Sequence, residues 1–260
     1  MDDEDPIAAR PARSRGIYLL PNLFTTGGLF AGFFAIIAAS QGRFGPACVA
    51  IFVAAILDGI DGRVARLTNT QSEFGVQYDS LADLISFGMA PALVMYHWSL
   101  MELRLDGVTL GRLGWLAAFL YAACAALRLA RFNSQVAVVD KRWFVGLASP
   151  AAAGLMASFV WTAHSLGADG YDMRWAALAI TVVAGLLMVS RIRYSSFKGR
   201  GSGPRSDRVP FFVLPIAVGV LIALWADPPR TLLAASALYA LSGPAWWVLR
   251  RSKGAERGAA

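Results

Sequence analysis

The chain has 260 residues, 57% hydrophobic and only 16% charged, against roughly 25% charged residues in ordinary soluble domains. Its formal charge of +7 is not the footprint of a nucleic-acid binder, because the basic residues are parcelled out between long apolar runs instead of forming one patch. The only two cysteines, Cys48 and Cys124, lie inside apolar runs and suggest neither a disulfide framework nor a cysteine metal site.

Residues 1–16 open with MDDED and carry Arg10, Arg13 and Arg15, with no short apolar segment and cleavage site directly behind them. They read as a disordered cytoplasmic arm and not as a secretory signal. Eight apolar runs follow, at about 22–40, 45–62, 81–100, 113–131, 147–165, 175–191, 210–226 and 231–249, each near the roughly 20 residues that a bilayer crossing needs. The expected fold is therefore all-α: a polytopic integral membrane bundle of about eight transmembrane helices. With eight spans both termini share a side, and that side holds all but five of the 24 basic residues, the exceptions being Arg43, Arg104, Arg112, Arg174 and Arg230. The positive-inside rule puts the termini and the loop after the second span at the cytoplasmic face of the inner membrane. Trp98, Trp115, Trp161, Trp175, Trp225, Trp246 and Trp247 lie near span ends, as an aromatic belt would have them.

The first span starts PNLFTTGGLFAGFFAI, where Asn22 can cap the helix or point into a polar cavity, and Thr25, Thr26, Gly27, Gly28, Ala31 and Gly32 allow close packing of a neighbour. A substrate contact from Asn22 or Thr25 is the weaker reading of that stretch. Between the second and third spans come four aspartates. Asp58 and Asp61 are three apart and Asp79 and Asp83 four apart, so on helices each pair shares a face, and two such pairs facing each other would make a metal site. Gly62 and Ala65 share the face of the first pair and leave a groove without bulk. Arg66 can offer a fork to phosphate, and Gly75 allows a ligand close to the next helix.

The third span carries Ser86, Gly88 and Pro91, and a proline there bends the helix and frees a carbonyl. The fourth ends in ALRLARFN, placing Arg128 and Arg131 on one face with Asn133 behind them; arginines at a membrane edge usually serve a partner. His97 and His164 read as interfacial. The sixth span ends in a loop in which Arg193, Tyr194 and Lys198 are the most site-like residues. The last two spans carry no titratable residue in their interiors and are assigned to packing or oligomerisation.

The spacing D-x2-D-G-x2-A-R-x8-G-x3-D-x3-D, filled by Asp58, Asp61, Gly62, Ala65, Arg66, Gly75, Asp79 and Asp83, resembles the signature of the CDP-alcohol phosphotransferase family. PNLFTTGGLFAGF, SFGMAPA, RLARFN and SRIRYSSFK are similar to the phosphatidylserine synthase branch of that family, so the likeness runs from about residue 17 to 198. Two positions depart from the branch: Ala148 stands where a proline is expected, and Arg191 where Asn is more usual. The resemblance implies a six-helix core over 17–200, two added helices over 201–249 and a basic tail over 250–260. It also implies CDP-diacylglycerol as donor, L-serine as acceptor, surrounding membrane lipids, a homodimer and no nucleic acid. The implied cofactor is Mn²⁺ or Mg²⁺, as two ions, held by Asp58, Asp61, Asp79 and Asp83, with Asp83 also the catalytic base. Asp58, Gly62, Ala65, Arg66 and Gly75 would bind the nucleotide donor. Ser86, Arg128, Arg131, Asn133, Arg193 and Lys198 are candidates for the acceptor or a lipid phosphate. A glycerol phosphate or inositol acceptor stays open, as does a carboxylate-lined cation transporter, although the gathering of acids at one membrane face speaks against the latter.

Overall fold

The computed structural model describes residues 19–68, 72–135, 143–195 and 213–258 of the chain. The expected arm at 1–16 lies outside them. Apolar runs bounded by Gly, Pro and polar stops become helices here, because in a bilayer each backbone donor and acceptor must be satisfied within its own segment. Helix α1 (Leu19–Ser40) turns back through a three-residue connection into α2 (Phe44–Leu67), which packs along it. Ser72 then caps α3 (Glu73–Asp83), its hydroxyl accepting the Gly75 N–H at 3.0 Å. The helix continues without a break through a π segment, Leu84–Met89, into α4 (Ala90–Trp98). Pro91 has no N–H to offer the Phe87 carbonyl four residues back, and the buried Tyr121 hydroxyl donates to that carbonyl instead, at 3.1 Å. Tyr121 belongs to α5 (Val108–Gln135), so the freed carbonyl becomes a tie between helices.

After α5 the described chain resumes at β1 (Trp143–Val145) and runs through α6 (Ser149–Ser165) and α7 (Arg174–Val189) to β2 (Arg193–Ser195). The two three-residue strands pair antiparallel, Phe144 opposite Tyr194. This pairing was not expected; it joins the stretch before α6 to the stretch after α7 without altering the all-α class. α8 (Val213–Ala226) and α9 (Pro228–Gly258) complete the chain.

Small side chains fill the core, among them Ala35, Ala38, Ala47, Ala54, Ala90, Ala152, Ala153 and Ala157, all buried. That suits membrane helices, which associate by close backbone approach because lipid tails are as apolar as leucine. At Gly32 a Cβ would land on the Ser86 side chain, so glycine lets α1 and the π segment touch. Large apolar residues such as Phe30, Phe33, Ile56, Phe119 and Leu186 point outwards instead. Among the described residues four helical stretches are long and apolar enough to cross a membrane: Pro21–Ser40, Phe44–Leu67, Glu73–Asp106 and Val108–Ser134. The remaining expected spans correspond to the shorter helices α6, α7 and α8 and to part of α9. At 1.5 Å per residue the 17-residue α6 is about 25 Å long, below the roughly 30 Å hydrocarbon core.

One aromatic assignment changes. Trp98 is buried edge-to-face against Phe159, with ring centroids 5.7 Å apart, because α4 and α6 pack together at that level. Trp115, Trp175, Trp225 and Trp247 are exposed, as a belt requires.

Candidate active site

The third expected span begins earlier than its apolar run suggests. Since α3 already starts at Glu73, both Asp79 and Asp83 sit on a helix, one turn apart, facing the C-terminal part of α2. Carboxylate oxygens of Asp58, Asp61 and Asp79 come within 4.8 Å of one another. Asp83 borders the same cavity with Thr25, Gly28, Ala54, Ser86 and Phe87. Asp61 is nearly fully buried, and one of its oxygens accepts a 2.8 Å hydrogen bond from the Thr25 hydroxyl. Thr25 also donates to the Pro21 carbonyl of its own helix at 3.2 Å, so α1 can steady a carboxylate on α2.

Four carboxylates in a half-buried cleft repel one another, and the only guanidinium within electrostatic reach of Asp83 among the described residues is Arg128. A cluster of this kind lowers its energy by taking up a cation, and an all-carboxylate donor set is the hard oxygen environment that suits Mg²⁺ or Mn²⁺. The residues present therefore fit a divalent metal.

The other signature residues surround this cluster. Gly62 is exposed, with nothing within 4 Å of where a Cβ would be, and Ala65 beside it is half-buried. Gly75 is tighter, since a Cβ there would lie 3.1 Å from the Ser72 hydroxyl and 3.6 Å from the Asn22 side-chain oxygen. Asn22 thus lies at the start of α3. Arg66 is exposed and its Nε donates to the Gly62 carbonyl at 2.7 Å, along its own helix.

Arg128 and Arg131 of α5 part company. Arg128 is half-buried and its Nη1 donates to the Ser149 hydroxyl at the start of α6, at 2.9 Å, while its Nε is buried without a hydrogen-bond partner among the described residues. Arg131, on the next turn, has no hydrogen-bond or ionic partner for its side chain among the described residues. Asn133 reaches back to α3, donating from its amide to the Ser80 hydroxyl at 3.0 Å. Ser86 is buried and donates to the Gly28 carbonyl at 3.1 Å, which holds α1 against the π segment while its side chain still borders the cavity. Arg193 lies in β2 with its side chain outside the described residues, and Lys198 lies outside them altogether.

Three neighbours of the site escaped the sequence reading. The Thr25–Asp61 bond joins residues 36 apart and the Arg128–Ser149 bond residues 21 apart, and no local pattern announces either. The third is Tyr239 in α9, a titratable residue within a span expected to have none, which stands within electrostatic reach of Arg128. Its helix is not peripheral. α9 packs along α6, where the Ser158 and Ser236 hydroxyls meet at 3.1 Å.

The sequence profile of the family described as CDP-alcohol phosphatidyltransferase matches residues 18–187. The CDP-diacylglycerol–serine O-phosphatidyltransferase of Helicobacter pylori (strain ATCC 700392 / 26695) is 42% identical over 182 residues, covering 70% of this chain and 74% of that protein. The protein of the same description from Methanocaldococcus jannaschii is 31% identical, covering 74% of this chain and 80% of its own. An archaetidylserine synthase of Methanothermobacter thermautotrophicus is 32% identical over 70% of this chain and 72% of its own.

Proposed function

The chain belongs to the CDP-alcohol phosphatidyltransferase family, and from that premise we propose that it transfers the phosphatidyl group of CDP-diacylglycerol to the hydroxyl of L-serine, releasing CMP and forming phosphatidylserine. The observation that carries this reading is the meeting of Asp58, Asp61 and Asp79 within 4.8 Å beside Asp83, on the spacing of the family signature. The serine acceptor rests on relatives from bacteria and archaea whose descriptions share it.

In this reading Asp58, Asp61 and Asp79 hold the divalent cation, Mn²⁺ or Mg²⁺, as one ion or two with help from Asp83. When bound, the metal offsets charge on the donor's pyrophosphate and on the departing CMP. Thr25 keeps Asp61 turned towards the cluster. Gly62, Ala65 and Gly75 leave room for the cytidine, with Arg66 at the groove's rim. Asp83 takes the proton from the serine hydroxyl as its oxygen attacks phosphorus in line. The new O–P bond forms while the P–O bond to CMP breaks, and CMP leaves with that electron pair. Arg128, half-buried with its buried Nε without a hydrogen-bond partner among the described residues and within electrostatic reach of Asp83, receives the acceptor's carboxylate.

The protein is an integral membrane protein; the charge asymmetry of its loops supports a cytoplasmic-side reaction in the inner membrane, with both termini on that side. The same reading includes a homodimer, which mass measurement of the detergent-purified protein tests. CMP release from CDP-diacylglycerol, measured with Mn²⁺ or Mg²⁺ and with L-serine, glycerol 3-phosphate or inositol, tests the reaction. Release that needs both serine and metal and is lost in Asp83→Asn is the expected result. Release driven only by another alcohol overturns the acceptor.

A further inference from the structure

The helix that carries Asp79 and Asp83 does not run on evenly into the core. Asp83 is the last residue of α3, and the wide turn of the π segment begins at Leu84. The Leu84 N–H still meets the Ser80 carbonyl four residues back, whereas the Ala90 N–H reaches the Ile85 carbonyl five back. Pro91 gives a reason for this change of pitch: in a regular helix its ring would run into the Phe87 carbonyl, and a wider turn makes room. One extra residue in a turn rotates whatever precedes it by about 100°. An even α-helix would align Asp83 with Ala90 and Val94, seven and eleven residues on, both buried in the core. The wide turn breaks that alignment, and Asp83 borders the cleft together with Ser86 and Phe87 of the turn itself.

The turn is clamped from both sides. The Ser86 hydroxyl donates to the Gly28 carbonyl of α1 at 3.1 Å, and the fully buried Tyr121 donates its hydroxyl to the Phe87 carbonyl, also at 3.1 Å. Gly88 admits α5 at this level, since a Cβ there would stand 3.2 Å from that of Ala125, one turn along from Tyr121. The rest of α3 is tied separately, by the Thr26 and Tyr78 hydroxyls at 2.9 Å and by the Asn133 amide on Ser80 at 3.0 Å. Asp83 is therefore the acid that adjoins the clamp. We propose that Tyr121 is a positioning residue of the reaction: by holding the Phe87 carbonyl it keeps the π segment wide and so fixes the direction of Asp83 in the cleft. This rests on the reading of Asp83 given above.

The test compares Tyr121→Phe, Pro91→Ala and Ser99→Ala with the full-length wild type in detergent, reading CMP release with L-serine and Mn²⁺ and thermal stability. Tyr121→Phe keeps the ring in the core and removes only the donating hydroxyl. It should lower kcat roughly tenfold or more and leave the KM for CDP-diacylglycerol, the KM for L-serine and the Mn²⁺ dependence within about twofold. Its Tm should fall slightly, because a buried carbonyl loses its donor. Ser99→Ala is the control for that loss: the buried Ser99 hydroxyl donates to the Gly170 carbonyl at 2.6 Å, towards the other end of the same span, and its removal should lower the Tm at wild-type kcat. Pro91→Ala gives the Phe87 carbonyl a helical N–H and lets the turn tighten, so it should lower kcat in the same way without lowering the Tm; it decides the matter should Tyr121→Phe fail to fold. A wild-type kcat in either folded variant, a shift of both KM values and the Mn²⁺ dependence along with kcat, or an equal fall of kcat in Ser99→Ala overturns the role of Tyr121 alone. An Asp83→Asn protein with wild-type kcat overturns the reading of Asp83 and this role with it.

Discussion

At the carboxylate cluster, Asp58, Asp61 and Asp79 come from two helices that are neighbours in the chain, whereas at the arginine, Arg128, Ser149 and Tyr239 come from α5, α6 and α9. The cluster is built from short spacings: residues three or four apart share a helix face whatever the rest of the fold does. The arginine's surroundings exist only after α5, α6 and α9 have docked, and α9 lies outside the family-matched residues. The carboxylate motif is thus laid out by chain order, while the surroundings of the arginine depend on how the helices pack.

The sharpest way to break that contrast is to remove one carboxylate. Asp61→Asn should lower kcat for CMP release by about a thousandfold or more, because a metal ligand and its charge are lost together, and raising Mn²⁺ should recover little of it. A drop of only a few-fold would mean that the cluster does not hold the metal. Arg128→Ala should raise the KM for serine about 30-fold, a loss of near 2 kcal/mol, with the KM for CDP-diacylglycerol barely moved. Equal effects on both substrates would dissolve the distinction between the two regions. Thr25→Ala should weaken the apparent metal affinity about tenfold, read from the Mn²⁺ dependence of the rate, because Asp61 loses the hydroxyl that orients it. The smallest effect is expected from Arg131→Ala, below about threefold in serine KM, since its side chain has no hydrogen-bond or ionic partner among the described residues and its removal leaves no described group unsatisfied. A large effect there would restore the arginine pair that the sequence suggests.

The legible parts of this protein were those in which local order carries the information. Long apolar runs became helices, and Asp58, Asp61, Asp79 and Asp83 met around one cavity because their spacing already placed them on helix faces. Pro91 announced a freed carbonyl, although not that Tyr121 would take it. Trp98 looked like a belt residue because nothing near it in the chain reveals that α6 covers it. The two arginines looked equivalent because three residues' separation places both on one face, while a helix face is wide enough for one turn to meet Ser149 and the next to miss it.

The sequence by itself determined the membrane character, the helices and the carboxylate motif, since hydrophobic run length and a 3.6-residue period need only neighbouring residues to act. Tertiary structure alone decided that Thr25 would hold Asp61, that Arg128 and not Arg131 would meet Ser149, and that Tyr239 would come from the far end of the chain to stand near it. Those contacts depend on how closely helices approach, which Gly32 and Gly243 permit, and a glycine in a sequence does not say which neighbour it admits.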